Sequence, residues 1–281
     1  MGKQTRKSGS HFGGEWTEEK LTIIRKYLSF YVNALKNIKC KKIYIDAFAG
    51  SGKTLLKDGK EVDGSAMISL SLDFDHYYFI ELDAERLNNL NNLIDERYPD
   101  KKSKVTIIRG DCNNELITLL QSLTKFQRGV MFLDPYAMEL DWSILEEANK
   151  TGVLDIWYLF PINAVSRQMP ISGQVTDKMV EKLNIIFGTD KWLESLYYED
   201  PQMNMFKDKK MKRHNFERLV EFVLSQLNSL FAYVSPKSKL LKNSNNAPMF
   251  LLCFAMTNNS PKAIGLGSKV VNDIFKSLEQ S

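Results

Sequence analysis

Apolar residues recur along this chain at two spacings that alternate. From Thr17 to Lys36, Leu21, Ile24, Leu28, Tyr31, Val32 and Leu35 return at three- and four-residue steps, which predicts an amphipathic helix. Thr17 stands where an N-cap belongs, and the acids after it suit the positive end of a helix. Short apolar runs then predict buried strands at Lys42–Asp46, Tyr77–Asp83, Val105–Arg109, Gly129–Asp134 and Leu154–Phe160. Between them, Ser65–Leu72, Ala84–Arg97, Asn114–Leu123 and Trp142–Lys150 predict helices, and Leu55–Asp63 reads as a polar connection.

Strands that alternate with helices imply a parallel sheet in an α/β fold. The alternation stops after Pro161. Residues 162–230 lack clear strands and carry helical patterns, among them Lys178–Phe187 and Phe216–Leu230. Two late strands, Leu230–Val234 and Met249–Thr257, flank a Lys-, Asn- and Ser-rich stretch that reads as a loop, and a last helix is predicted from about Gly267 to Leu278. The expected organisation is an N-terminal tail and helix (1–39), a core built from 40–161 and 230–281, and a helical insertion (162–229).

With 43% hydrophobic and 26% charged residues in 281, the composition is that of a globular chain, which excludes disorder throughout as well as collagen-like and coiled-coil architectures. Cys40, Cys112 and Cys253 form no C-x-x-C pair, so neither a disulfide scaffold nor a cysteine metal site is expected, and three free thiols suit a reducing, cytoplasmic setting. The N-terminus is basic with no apolar region behind it, and the longest strongly apolar run, Met249–Met256, is far short of a membrane span of roughly 20 residues. The excess of 38 Lys and Arg over 34 Asp and Glu is mild. Its densest part, Lys207, Lys209, Lys210, Lys212 and Arg213, suits either phosphate contacts or a solvated helical surface.

Four polar motifs fall at the ends of successive predicted strands. In Asp46-Ala-Phe48-Ala49-Gly50-Ser-Gly52 the glycines permit either an ordinary strand-to-loop turn or close approach of a ligand, and Asp46 ends an apolar strand, where burial demands a partner. The following Lys53-Thr54 imitates a phosphate-binding loop, but position 47 is Ala and the residues after Thr54 are poor helix formers. Glu81 ends the second strand 35 positions after Asp46, more than the usual spacing of about 20, and the connection at 55–64 accounts for the excess. A carboxylate there accepts ribose hydroxyls, whereas Asp83 suits a helix cap. Asp111 with the backbone N–H of Cys112 can bracket an adenine edge, or Asp111 or Asn113 can cap a helix. Asp134-Pro135-Tyr136 offers a carboxylate to accept a hydrogen bond from an amine and a ring to stack, or a plain strand-end turn. All four lie on the edge where open α/β sheets bind ligands.

These motifs resemble those of class I S-adenosylmethionine-dependent methyltransferases. The resemblance implies a Rossmann-like sheet, mostly parallel with an antiparallel edge strand and helices on both faces, and S-adenosyl-L-methionine as cofactor. It implies that the Asp46–Gly52 loop and Ser65 hold the methionine part, Glu81 the ribose, Asp111 and Cys112 the adenine, and that Asp134, Pro135 and Tyr136 form the catalytic motif. A narrower match, in Phe12-Gly-Gly-Glu-Trp-Thr-Glu-Glu-Lys20-Leu21, Tyr44–Gly52, Gly64-Ser65, Phe79–Asp83 and Met249–Ala255, is similar to the three-Cys-motif partner family. That family is methyltransferase-like and is named for a partner protein that carries the cysteines. The layout also resembles ribosomal RNA adenine-N6 methyltransferases, whose Asp-Pro-Pro-Tyr motif is one proline longer than Asp134-Pro-Tyr-Ala137. The expected activity is methyl transfer to a nitrogen of a nucleic-acid base. The alternatives are a protein methyltransferase and a silent partner protein with the same fold.

Overall fold

The computed structural model describes residues 15–56, 58–199, 211–213 and 215–279. In chain order the helices are α1 (Glu15–Ala34), α2 (Ser65–Leu70), α3 (Ala84–Arg97), α4 (Cys112–Ser122), α5 (Trp142–Thr151), α6 (Ile162–Arg167), α7 (Asp177–Phe187), α8 (Trp192–Leu196), α9 (Phe216–Leu230) and α10 (Pro261–Glu279). The strands are β1 (Lys41–Asp46), β2 (Lys53–Leu55), β3 (Glu61–Asp63), β4 (His76–Glu81), β5 (Val105–Arg109), β6 (Gln127–Leu133), β7 (Leu154–Phe160), β8 (Tyr197–Glu199), β9 (Met211–Arg213), β10 (Tyr233–Val234), β11 (Lys239–Lys242) and β12 (Pro248–Met256).

Eight strands form one sheet in the order β10-β12-β7-β6-β1-β4-β5, with β11 also on β12. The five strands from β7 to β5 are parallel, β12 runs antiparallel to β7, and β10 and β11 run antiparallel to β12. This is the expected Rossmann-like arrangement. Side chains alternate across the pleat. Ile43, Ile45, Met131, Leu133, Ile156 and Tyr158 pack against α4, α5, α7 and α9. Tyr44, Val130, Phe132, Trp157 and Leu159 pack against α1, α2, α3 and α10. Both faces are therefore buried, and the strands read as continuous apolar runs because neither face meets water. Among the described residues, no helix is long and apolar enough to cross a membrane.

Several expectations need correction. Helix α1 begins at Glu15, so Thr17 is not its cap. Thr17 lies in the first turn, buried, and its hydroxyl has no hydrogen-bond partner among the described residues. The connection at 55–63 is a hairpin of β2 and β3, pinned to α3 by two Arg97 bonds to Asp63 at 2.6 and 2.9 Å. The stretch after Val234 contains β11, whose Lys-Leu-Leu-Lys sequence shows too short an alternation to announce a strand. The region 162–229 holds α6–α8 and most of α9, but also the strand pair β8–β9. Helix α10 starts at Pro261 rather than Gly267. Proline fits a first helical position, and a side chain at Gly267 would come within 2.8 Å of the Met256 sulfur and oblige that side chain to shift.

One buried charge sits at the far edge of the sheet. Asp155 begins β7 and accepts a 2.6 Å hydrogen bond from the Tyr27 hydroxyl of α1. Burial pushes its carboxyl up to about 7, against the Tyr27 bond and the Arg128 charge, which pull it down. A carboxyl raised in the folded state stabilises fully below its unfolded value, and that contribution is lost as pH climbs through about 7. Asp155→Asn removes this dependence. Its stability relative to wild type should therefore rise between pH 4 and pH 8 by on the order of 3 kcal/mol, read from urea unfolding at several pH values. A gap that stays flat with pH would refute the assignment.

Candidate ligand-binding edge

The candidate residues meet at the C-terminal ends of β1, β4, β5 and β6. Strand β1 runs straight into the glycine loop, which is tied to both neighbours. Ala47 donates to the Phe132 carbonyl at 3.1 Å and Ala49 to the Ile80 carbonyl at 2.9 Å. Gly50 and Gly52 take φ of +64° and +83°, where a side chain is strained. Their surroundings differ. A Cβ on Gly52 would lie 2.9 Å from Leu90 and 3.2 Å from both Leu93 and Met67, so this glycine serves packing. A Cβ on Gly50 would meet nothing within 4 Å, so this glycine faces open space. Gly64 donates to the Gly52 carbonyl at 2.9 Å and brings Ser65 beside the loop, although 12 residues separate the two glycines.

Asp46 is wholly buried at the end of β1. It accepts from the Tyr44 hydroxyl at 3.2 Å and the Phe48 amide at 3.3 Å, and Ser65 also bonds to it. Burial pushes its carboxyl up to about 6. The Asp134 charge adds to that rise, and the Ser65, Phe48 and Tyr44 bonds oppose it. Phe48 packs on the core, and Ala49 is buried.

Glu81 proves to have a structural job that the sequence did not suggest. One oxygen accepts from the Gly50 amide and the other from the Asp83 amide, each at 2.9 Å. The carboxylate staples the glycine loop to the end of β4 and still offers a second lone pair on each oxygen. Asp83 caps α3 as expected, accepting from Glu85 and Arg86.

Asp111 caps α4, accepting from Asn113 at 2.8 Å. The Cys112 thiol turns into the core, where burial and the Asp111 charge push it up to about 12. Its side chain is no nucleophile, and only its backbone can serve a ligand. Asn113, the other cap candidate, has a different role. Its amide donates to the Glu139 carbonyl at 2.7 Å and accepts from Asp141 at 2.9 Å, which ties α4 to the loop after Asp134.

Asp134 carries a partner that the motif alone did not reveal. The Lys20 ammonium of α1 bonds to its carboxylate. The Lys20 side chain is 8% exposed and that of Asp134 22%. Lys20 also lies over the Trp16 ring, 5.0 Å from its centre, and Trp16 packs on Phe250, with ring centres 5.0 Å apart. The clue in the sequence was a lysine on the apolar face of α1, four residues before Ile24. Pro135 is buried, whereas Tyr136 is 60% exposed at the rim, its amide donating to Glu139 at 3.2 Å.

Of the basic cluster, Lys207, Lys209 and Lys210 lie outside the described residues, and Lys212 and Arg213 fall in β9. A cavity of about 420 Å³, lined by Asn149, Gly152, Leu230, Phe231, Ala232, Thr257 and Asn259, opens at the opposite ends of the strands and contains none of the candidate residues. No group of three metal-ligating side chains occurs among the described residues.

No protein-family model matches the chain, and no curated protein matches it. Among solved structures it is similar to protein LPL1258 from Legionella pneumophila, at 13% identity over 94% of each chain with a TM-score of 0.52. Looser matches are spermidine synthase from Thermotoga maritima (12% identity, 88% of this chain and 61% of that one, TM-score 0.40) and the methyltransferase domain of bacterial CtHen1 (10%, 83% and 100%, TM-score 0.37). The likeness to LPL1258 is one of fold, and with the strand order above the chain is a Rossmann-like α/β protein with an antiparallel edge.

Proposed function

We propose that the chain binds S-adenosylmethionine along this edge and transfers its methyl group to a nitrogen of a nucleic-acid base. The observation that carries the reading is the join between Gly50 and Glu81. A glycine with open space where its Cβ would stand has its amide locked to a carboxylate with lone pairs to spare, on the rim where open α/β sheets take ligands. The residues fit the donor. Gly50 leaves room for it, Glu81 accepts two ribose hydroxyls, Asp111 and the Cys112 backbone flank the adenine, and Ser65 and the loop hold the methionine part.

When bound, the donor supplies an already activated methyl group on a sulfonium. The chain's task is then positioning. Asp134 accepts a hydrogen bond from the acceptor's N–H and aims the nitrogen lone pair. Pro135 fixes the direction of the carboxylate, and Tyr136 at the rim offers a stacking face to the incoming base. Lys207, Lys209, Lys210, Lys212 and Arg213 are proposed phosphate contacts.

Glu81→Gln keeps the shape but replaces one acceptor with a donor. It should weaken S-adenosylmethionine binding about 30-fold or more by calorimetry. Unchanged affinity would remove Glu81 from the site. Labelled methyl transfer to RNA, DNA and protein pools then decides the acceptor, and label on protein alone would favour a protein methyltransferase.

A second reading has its own observation. The motif Asp134-Pro-Tyr-Ala137 is one proline short, which suits a partner protein of the three-Cys-motif type that retains the donor site without turnover. Donor binding with no transfer to any pool would support it.

A further inference from the structure

We infer that Lys20 sets the preference of this edge between the cationic methyl donor and the uncharged thioether left after transfer, by offsetting the charge of Asp134. The inference rests on the donor reading above and adds a specificity-determining residue to it.

Two described charges act directly on Asp134. Strand β1 contributes Asp46, close enough for Asp134 to push its acid upward. Helix α1 contributes Lys20, the one cation that bonds to any of these carboxylates among the described residues. Glu19 beside it is turned away to Lys239, at 2.7 Å. A buried ammonium is unfavourable unless a neighbour returns the charge, and here Asp134 and the face of Trp16 do so. Lys20 is not spare surface charge, because the fold keeps it out of water against the proposed catalytic carboxylate.

The consequence concerns the sulfur. S-Adenosylmethionine and S-adenosylhomocysteine share ribose, adenine and amino-acid ends, and differ by a methyl group and a positive charge. The ratio of their affinities cancels the shared contacts and reads the field at the sulfur. Asp46 and Asp134 unopposed would favour the sulfonium strongly. Lys20 opposes them and levels the two ligands.

The test is calorimetry on the full chain at pH 8, above the range where Asp46 titrates, with both ligands against wild type, Lys20→Met, Lys20→Arg and Asp134→Asn. Lys20→Met should move the affinity ratio toward the donor by about tenfold or more. Lys20→Arg should stay within about threefold of wild type, and Asp134→Asn should move the ratio toward the thioether. A Lys20→Met ratio within about twofold of wild type, with both ligands bound, overturns the inference. If Lys20→Met does not fold, the Asp134→Asn arm decides alone, and an unmoved ratio there overturns it equally. Wild-type protein that binds neither ligand overturns the donor reading itself and this inference with it.

Discussion

Asp134→Ala should transfer no methyl group and should unfold about 3 kcal/mol more easily than wild type. The stability loss follows from Lys20 rather than from the aspartate. Truncating Asp134 leaves an ammonium that is 8% exposed against the Trp16 face, and a buried charge that has lost its partner is far more costly than an absent pair. Because Asp134 itself is 22% exposed, water entering the gap recovers part of the loss, which places the effect at the low end of the range for buried pairs. Adding Lys20→Met removes the stranded charge and should restore much of the stability but none of the transfer. Urea unfolding of the two single variants and the double variant gives the coupling directly. An Asp134→Ala protein within about 0.5 kcal/mol of wild type would mean that the pair is a surface contact after all.

The second large effect separates two glycines that look alike. Gly52→Val puts a branched side chain at φ +83°, with its Cβ 2.9 Å from Leu90 and 3.2 Å from Leu93 and Met67. Backbone strain and overpacking together should cost about 3 kcal/mol. Gly50→Ala carries the strain alone, about 1 kcal/mol, because nothing lies within 4 Å of its Cβ. That variant should fold and yet lose donor binding, since the methyl group enters the space left for the ligand. Thermal unfolding together with calorimetry distinguishes the two. Equal stabilities, or a Gly50→Ala protein that binds as wild type does, would show that the loop does not divide its glycines between packing and ligand.

Much of the fold was legible because its signals are local. Ile43 and Ile45 against Tyr44, or Ile156 and Tyr158 against Trp157, report a strand buried on both faces without any knowledge of its neighbours. The Asp83 cap is equally local, since it bonds two and three residues ahead. What failed was short or distant. Strand β11 is four residues at a sheet margin, and β2 and β3 are three each, too brief for a period to emerge. The staple from Glu81 to Gly50 spans 31 residues and the Lys20–Asp134 pair spans 114, and no pattern in a window of sequence encodes either. Of the candidate edge, the four strand-end motifs were therefore readable, while the bonds that tie them to distant parts of the chain were not.

Helix α1 has a consequence for how the molecule is made. Among the described residues its four cross-chain bonds reach Asp134, Asp155, Lys239 and Ser277, at sequence separations of 114, 128, 220 (239 minus 19) and 251 residues. Helix α1 thus has its seat among elements more than 100 residues further along the chain, and such long-range closure is slow compared with forming a helix or a hairpin. Until α1 docks, Asp134 is without the cation that bonds to it. The electrostatic balance of the rim is therefore set by a long-range contact and not by the loops that build the rim.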